Sequence, residues 1–180
     1  MIMYWKSVGA AHTEQTVELA LQKAKEYGTT SIVVASVSGK TAELLAGKAE
    51  NIVCVTHANG FKELGTNELT PQQREILIQK NVKVLTTAHA LSGAERGISK
   101  KFGGAYPVEI IAHTLRMFGQ GVKVAVEVAV MALDAGLIPY GEEIIAIGGT
   151  GRGVDSAVVI RPDYSANILN THIAEVICKP

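Results

Sequence analysis

The chain has 180 residues, 47% of them hydrophobic, and its seventeen basic and seventeen acidic side chains cancel to zero formal charge. That is enough for one sizeable core and short for two. The balance argues against the basic stripe of a nucleic-acid binder and the polybasic patch of a membrane-surface protein, and no uncharged apolar run is long enough for a spanning helix. The opening MIMYWKSVGA lacks the basic start and long apolar segment of a signal peptide. Cys54 and Cys178 lie far apart in apolar contexts. They read as reduced thiols of a cytoplasmic protein, not as a disulfide or a metal pair.

Ile2 to Trp5 reads as a short edge strand, with Trp5 as a packing anchor. Thr13 is the expected N-cap of a helix in which Val17, Ala20, Leu21 and Ala24 repeat at helical spacing before Gly28 stops it. Ile32 to Ala35 is a buried strand, followed by a turn, a short helix closed by Gly47, and a second strand over Ile52 to Val55. Thr56 to Leu69 is a loop by composition. Thr70-Pro71-Gln72-Gln73 starts a helix, with Thr as cap and Pro at the first helical position, and Val82 to Leu85 is a third core strand.

Thr86 to Tyr106, with four glycines, reads either as an irregular lid or as a loop holding a short helix around Leu91 to Arg96. Pro107 restarts a helix with Val108, Ile111, Ala112 and Leu115 on one face. The segment Val122 to Leu137 fits a strand by its alternate valines and a buried helix by its length and alanines. Ile144 to Ile147, Ala157 to Ile160 and Ile173 to Ile177 close the list of strands, the first two too near in sequence for anything but a hairpin. The whole predicts one α/β/α sandwich, with a mostly parallel sheet and an antiparallel C-terminal hairpin.

Two motifs carry chemistry. Ser36-Val37-Ser38-Gly39-Lys40-Thr41 is a hydroxyl-rich turn from a strand into a helix N-terminus, where open amides, hydroxyls and one ammonium favour a phosphate. It is not a nucleoside-triphosphate loop, because Val34 stands where that motif needs glycine. Gly148-Gly149-Thr150-Gly151-Arg152-Gly153 lacks the dinucleotide spacing and precedes a strand. Its glycines serve a hairpin tip, and its amides with Arg152 also suit an anion.

Residues His12 to Asn59 resemble the C-terminal α/β domain of pyruvate kinase: a helix, the strand IVVAS, the turn SGKT, and a strand ending Val55-Thr56. The resemblance implies that Ser38, Gly39, Lys40 and Thr41 hold a phosphate. It also decides for a helix over Val122 to Leu137, before Gly141-Glu142-Glu143-Ile144. In that enzyme the matching hairpin reads G-W-R-P-G-S-G and closes over a sugar bisphosphate. Here the tryptophan is missing and His57 replaces an arginine, so a different ligand is expected. The enzyme's barrel domain, with its metal-binding acids and catalytic lysine, has no counterpart in these residues, so pyruvate kinase activity is not expected.

The chain is similar to stand-alone proteins of this domain type, of unassigned activity, and that similarity implies flavin mononucleotide (FMN) as the cofactor. Ligands of open α/β sheets sit beyond the strands' carboxyl ends. The expected ligand set is therefore Ser36 with the turn residues, Thr56, His57 and Asn59, then Thr87 and His89, and Gly149, Thr150, Gly151, Arg152 and Gly153. His12 is expected at the same rim, without a metal site. Phe61, Phe102 and Tyr106 are candidates to cover an aromatic ring.

The first expectation is a binding protein for a phosphorylated small molecule. The alternatives are a flavin-dependent enzyme with His57 or His89 as acid–base, and a regulatory module sensing a sugar phosphate. Self-association is left open. Lys40→Ala, or a β-branched residue at Gly39, is expected to cost on the order of 1–3 kcal/mol of ligand affinity without unfolding the domain.

Overall fold

The β-branched runs of the sequence form a single sheet whose two faces are each covered by helices. A computed structural model describes residues 2–180. Strand β1 (Met3–Tyr4) leads through a 3-10 turn at Ala10–His12 into α1 (Thr13–Tyr27). Then come β2 (Ser31–Ala35), α2 (Lys40–Leu45), β3 (Asn51–Val55), α3 (Pro71–Gln79) and β4 (Val82–Leu85). Three helices follow in succession: α4 (Gly93–Phe102), α5 (Pro107–Arg116) and α6 (Gln120–Asp134). Strands β5 (Ile144–Gly148), β6 (Ser156–Arg161) and β7 (His172–Lys179) complete the fold, the last two separated by a 3-10 segment at Ser165–Asn170. None of these helices is long and apolar enough to cross a membrane.

The sheet runs β1-β7-β6-β5-β2-β3-β4. Its β2, β3, β4 and β5 are mutually parallel, β1 is parallel to β7, and β6 is antiparallel to both neighbours. Side chains alternate across the pleat and so feed two cores. Ile32 and Val34 of β2 join Val17 and Ala20 of α1, Leu45 of α2 and Leu77 of α3. Val33 joins Val122, Val126 and Ala129 of α6 on the other face. This is the expected three-layer α/β/α sandwich. Its antiparallel part is a three-strand meander and not only a hairpin, because β7 runs the full eight residues from His172 to Lys179.

Two local expectations need correcting. Thr13 does not cap α1: the 3-10 turn precedes it, and the Thr13 hydroxyl accepts from the Val154 amide at 3.1 Å. Of the two readings of Thr86 to Tyr106 the helix stands, but it runs over Gly93–Phe102 with Gly97 inside it, longer than and shifted from Leu91 to Arg96. Val122 to Leu137 is helical up to Asp134, as the resemblance implied, and its valines alternate without forming a strand because α6 is buried almost all round. Elsewhere the local chemistry is as expected. The Thr70 hydroxyl accepts from the Gln73 amide at 3.1 Å, and Gly28 closes α1 with φ +66°.

Both cysteines are fully buried and free. Burial pushes the Cys54 thiol up to about 12 and that of Cys178 to about 11. At neutral pH neither carries the thiolate that reacts with electrophiles. The folded protein is therefore expected to resist iodoacetamide, both thiols becoming reactive only in denaturant. Mass spectrometry of alkylated samples reads this directly, and stoichiometric labelling of the native protein would contradict it.

Candidate functional site

Strand order reverses between β2 and β5. From β2 the chain winds outward through β3 and β4, whereas β5 lies on the other side and leads into the meander. Loops leaving the carboxyl ends of two such strands diverge and leave a crevice. The crevice here is a cavity of about 980 Å³, at the upper end of the ~300–1,000 Å³ range of small-molecule sites. From the β2 exit, Ser36, Ser38, Lys40 and Thr41 line it; the facing hairpin contributes Gly149, Gly151, Arg152 and Gly153. Thr56, His57 and His89 also lie on the wall.

The β2 turn is built by Ser36. Its Oγ accepts from the amides of Thr41 and Ala42, at 3.2 and 3.4 Å, and so caps α2 from within. The Thr41 amide, expected to be open, is therefore used by the protein, as is that of Ala42. The amides of Ser38, Gly39 and Lys40 meet no acceptor among the described residues. Lys40 is exposed and forms no ion pair among them.

Gly39 is not on the cavity wall. It is buried, has φ +82°, and a Cβ there would stand 3.0 Å from Gln73, Leu69 and Leu77 side-chain carbons. The expectation that it tolerates a β-branched residue is overturned, because that residue would strain both the turn and its packing on α3.

The hairpin's glycines are explained by the fold. Gly151 and Gly153 adopt φ +76° and +71°. A Cβ on Gly149 would lie 2.7 Å from Val154 Cα, and one on Gly153 equally close to Ala10 Cα. Asp155, fully buried, organises the region. Its Oδ2 accepts from the amides of Gly9 at 2.8 Å and Thr150 at 3.2 Å, and its carbonyl accepts from Trp5 Nε1 at 2.8 Å. Arg152 remains exposed at the cavity edge without a carboxylate partner among the described residues.

Beyond β3, an aromatic cluster forms one wall. The His57 and Phe61 rings lie 3.9 Å apart between centroids, and His89 meets both edge-on at 5.6 and 5.2 Å. His57 Nδ1 lies 3.0 Å from Glu68 Oε1, which fixes the ring's orientation. Burial holds His89 below the ordinary histidine range, against the pull of the Glu127 carboxylate. The Thr56 hydroxyl is engaged with Thr86 Oγ1 at 2.7 Å and the His57 carbonyl at 2.9 Å, so it supports the wall instead of facing a ligand.

Asn59, Thr87 and Thr150 are not on the wall; Asn59 ties its loop to Asn67 at 3.0 Å. His12 stacks on Trp5 and meets Ser7, apart from the His57–His89 pair. Phe102 is 73% exposed and, like Tyr106, off the cavity.

Sequence reasoning missed one wall altogether. Lys123 and Glu127 of α6 face the cavity as an ion pair of 2.5 Å, each side chain only 6% exposed. Glu127 Oε1 also accepts from the Leu91 amide at 2.8 Å and so anchors the segment leading into α4. Arg96 of α4, Arg116 of α5 and Gln120 line the same region. The signal was present: two opposite charges four residues apart inside a helix that is otherwise apolar. Such a pair is costly to bury without a purpose.

Fold and crevice together define an open α/β domain with a cation-rich cavity at its switch point. A family model described as the pyruvate kinase alpha/beta domain matches residues 14–160, and the chain belongs to that family. Among solved structures it is similar to a pyruvate kinase from Cryptosporidium parvum at 17% identity and a TM-score of 0.44. That match covers 84% of this chain and 23% of the enzyme's, so the chain spans less than a quarter of that protein.

Proposed function

We propose that this protein binds a phosphorylated small molecule in the crevice, with flavin mononucleotide as the candidate ligand. The observation that carries the reading is charge. Six cationic side chains line the cavity, Lys40, Lys62, Arg96, Arg116, Lys123 and Arg152, against two carboxylates, Glu68 and Glu127, in a chain of zero formal charge. A cleft of one sign attracts ligands of the other.

The residues present fit the cofactor. The unpaired amides of Ser38 and Lys40, with the Lys40 ammonium, suit a phosphate dianion. The rings of His57, Phe61 and His89 offer an apolar, aromatic wall to a flat ring system. When bound, flavin supplies hydride and one-electron chemistry of its own, and the protein supplies binding and orientation.

The test compares FMN with riboflavin, which lacks the phosphate, by quenching of flavin fluorescence. FMN is expected to bind and riboflavin to bind at least about tenfold more weakly. Lys40→Ala is expected to cost FMN affinity by about 1–3 kcal/mol while leaving the melting temperature unchanged, since Lys40 has no protein partner to lose. Equal affinities for the two flavins, or a melting temperature that falls along with affinity, would overturn the assignment of the turn.

A further inference from the structure

The cavity's cations fall into two groups on different layers of the fold. Lys40 and Arg152 belong to the β2–α2 turn and the β5–β6 hairpin, whereas Arg96, Arg116 and Lys123 belong to α4, α5 and α6. Helix α2 packs in the core on one face of the sheet and α6 in the core on the other, so the two groups approach the crevice from opposite sides of the sheet's edge. Within the second group Lys123 is matched by Glu127. Neither arginine has a carboxylate partner among the described residues, and Arg116 spends one N–H on Gln120 Oε1 at 2.7 Å. Both guanidiniums lie near enough to act on Lys123, which burial chiefly, and their charge in addition, pulls below the ordinary lysine range. Two unpaired guanidiniums beside a neutralised ion pair leave an excess of positive charge, with planar donors suited to two-pronged contact with a carboxylate or phosphate.

We propose that Arg96 and Arg116, backed by Lys123, form a second anion subsite in this cavity, which takes a carboxylate or phosphate separate from the one at the Ser38–Thr41 turn. The inference deepens the reading above and rests on it for the first subsite only. The second anion is either the far end of one ligand or a small acid lying beside the first.

Isothermal titration of the full chain with inorganic phosphate tests the subsite by stoichiometry. Wild-type protein is expected to take two equivalents. Lys40→Ala should lose one, and the Arg96→Gln/Arg116→Gln double variant the other, each weakened about tenfold or more. Arg96 is exposed, so Arg96→Gln alone serves as a well-folded variant if the double one melts early. A single equivalent lost only in the arginine variants would support the second subsite while sinking the turn. A single equivalent lost only in Lys40→Ala, two equivalents indifferent to the arginines, or no uptake by wild-type protein would overturn the proposal.

Two further titrations separate the sources of the anion. If the two anions belong to one ligand, 3-phosphoglycerate should bind at least about tenfold more tightly than glycerol 3-phosphate, an advantage absent from the double variant. If the second is a separate acid, FMN-loaded protein should still take one equivalent of phosphate.

Discussion

Gly148→Ala is expected to destabilise the protein by about 3 kcal/mol or more. A Cβ at Gly148 would overlap the Gly121 carbonyl oxygen and stand 2.7 Å from the Ala125 amide nitrogen. Both obstacles are backbone of α6, so no rotamer change relieves them; the helix itself would have to lift from β5. The contact is reciprocal, because a Cβ on Gly121 would run into Ser156 and Asp155. Urea denaturation measures the cost. Gly151→Ala is the control, since its φ of +76° is strained for alanine but nothing lies within 4 Å, so about 1–2 kcal/mol is expected there. A Gly148→Ala protein as stable as that control would show that the helix does not press on the strand.

Removing the Glu127 side chain should be nearly as severe. Glu127→Ala strands the Lys123 ammonium and leaves the buried Leu91 amide without its acceptor. Breaking a buried pair from one side costs about 3–5 kcal/mol. The loss should depend on pH in a defined direction. Burial already draws Lys123 below the ordinary lysine range, and the Glu127 carboxylate opposes that shift; without the carboxylate the value drops further. Between this lowered value and the unfolded value near 10.5, the unfolded chain binds more protons than the folded one, so stability rises with pH. The deficit of Glu127→Ala relative to wild type is therefore expected to be greatest near neutrality and to shrink as pH climbs toward 10.5. Denaturant midpoints for both proteins across that range provide the check, and a deficit independent of pH would count against the account.

The sheet was legible in the sequence because its strands are short β-branched runs between polar turns, and such runs have few other places to go. The β2 turn was legible for a similar reason: hydroxyls, a glycine and a lysine at a strand exit have a local chemical meaning. What escaped depends on distant parts of the chain. Gly39 was read as part of the phosphate turn, whereas its neighbours Leu69, Gln73 and Leu77 come from about thirty residues further on. The hairpin glycines were read partly as an anion nest; contacts with Val154 and Ala10 require them whatever is bound. Helix α4 was obscured by the glycines at its ends and by Gly97 within it, and it buries none of its own residues. Lys123 and Glu127 were passed over because the valines and alanines around them dominate the pattern.

The lone tryptophan has a practical consequence. Trp5 donates to the Asp155 carbonyl and lies against His12, with the two rings 4.7 Å apart and tilted by only 9°. Through Asp155 and the Gly9 amide it is fastened to the loop that carries Arg152. With no other indole in the chain, its emission reports from one known location: the seam where the first dozen residues meet that loop. The molecule thus carries an intrinsic optical gauge beside the hairpin that bears Arg152, readable without a dye.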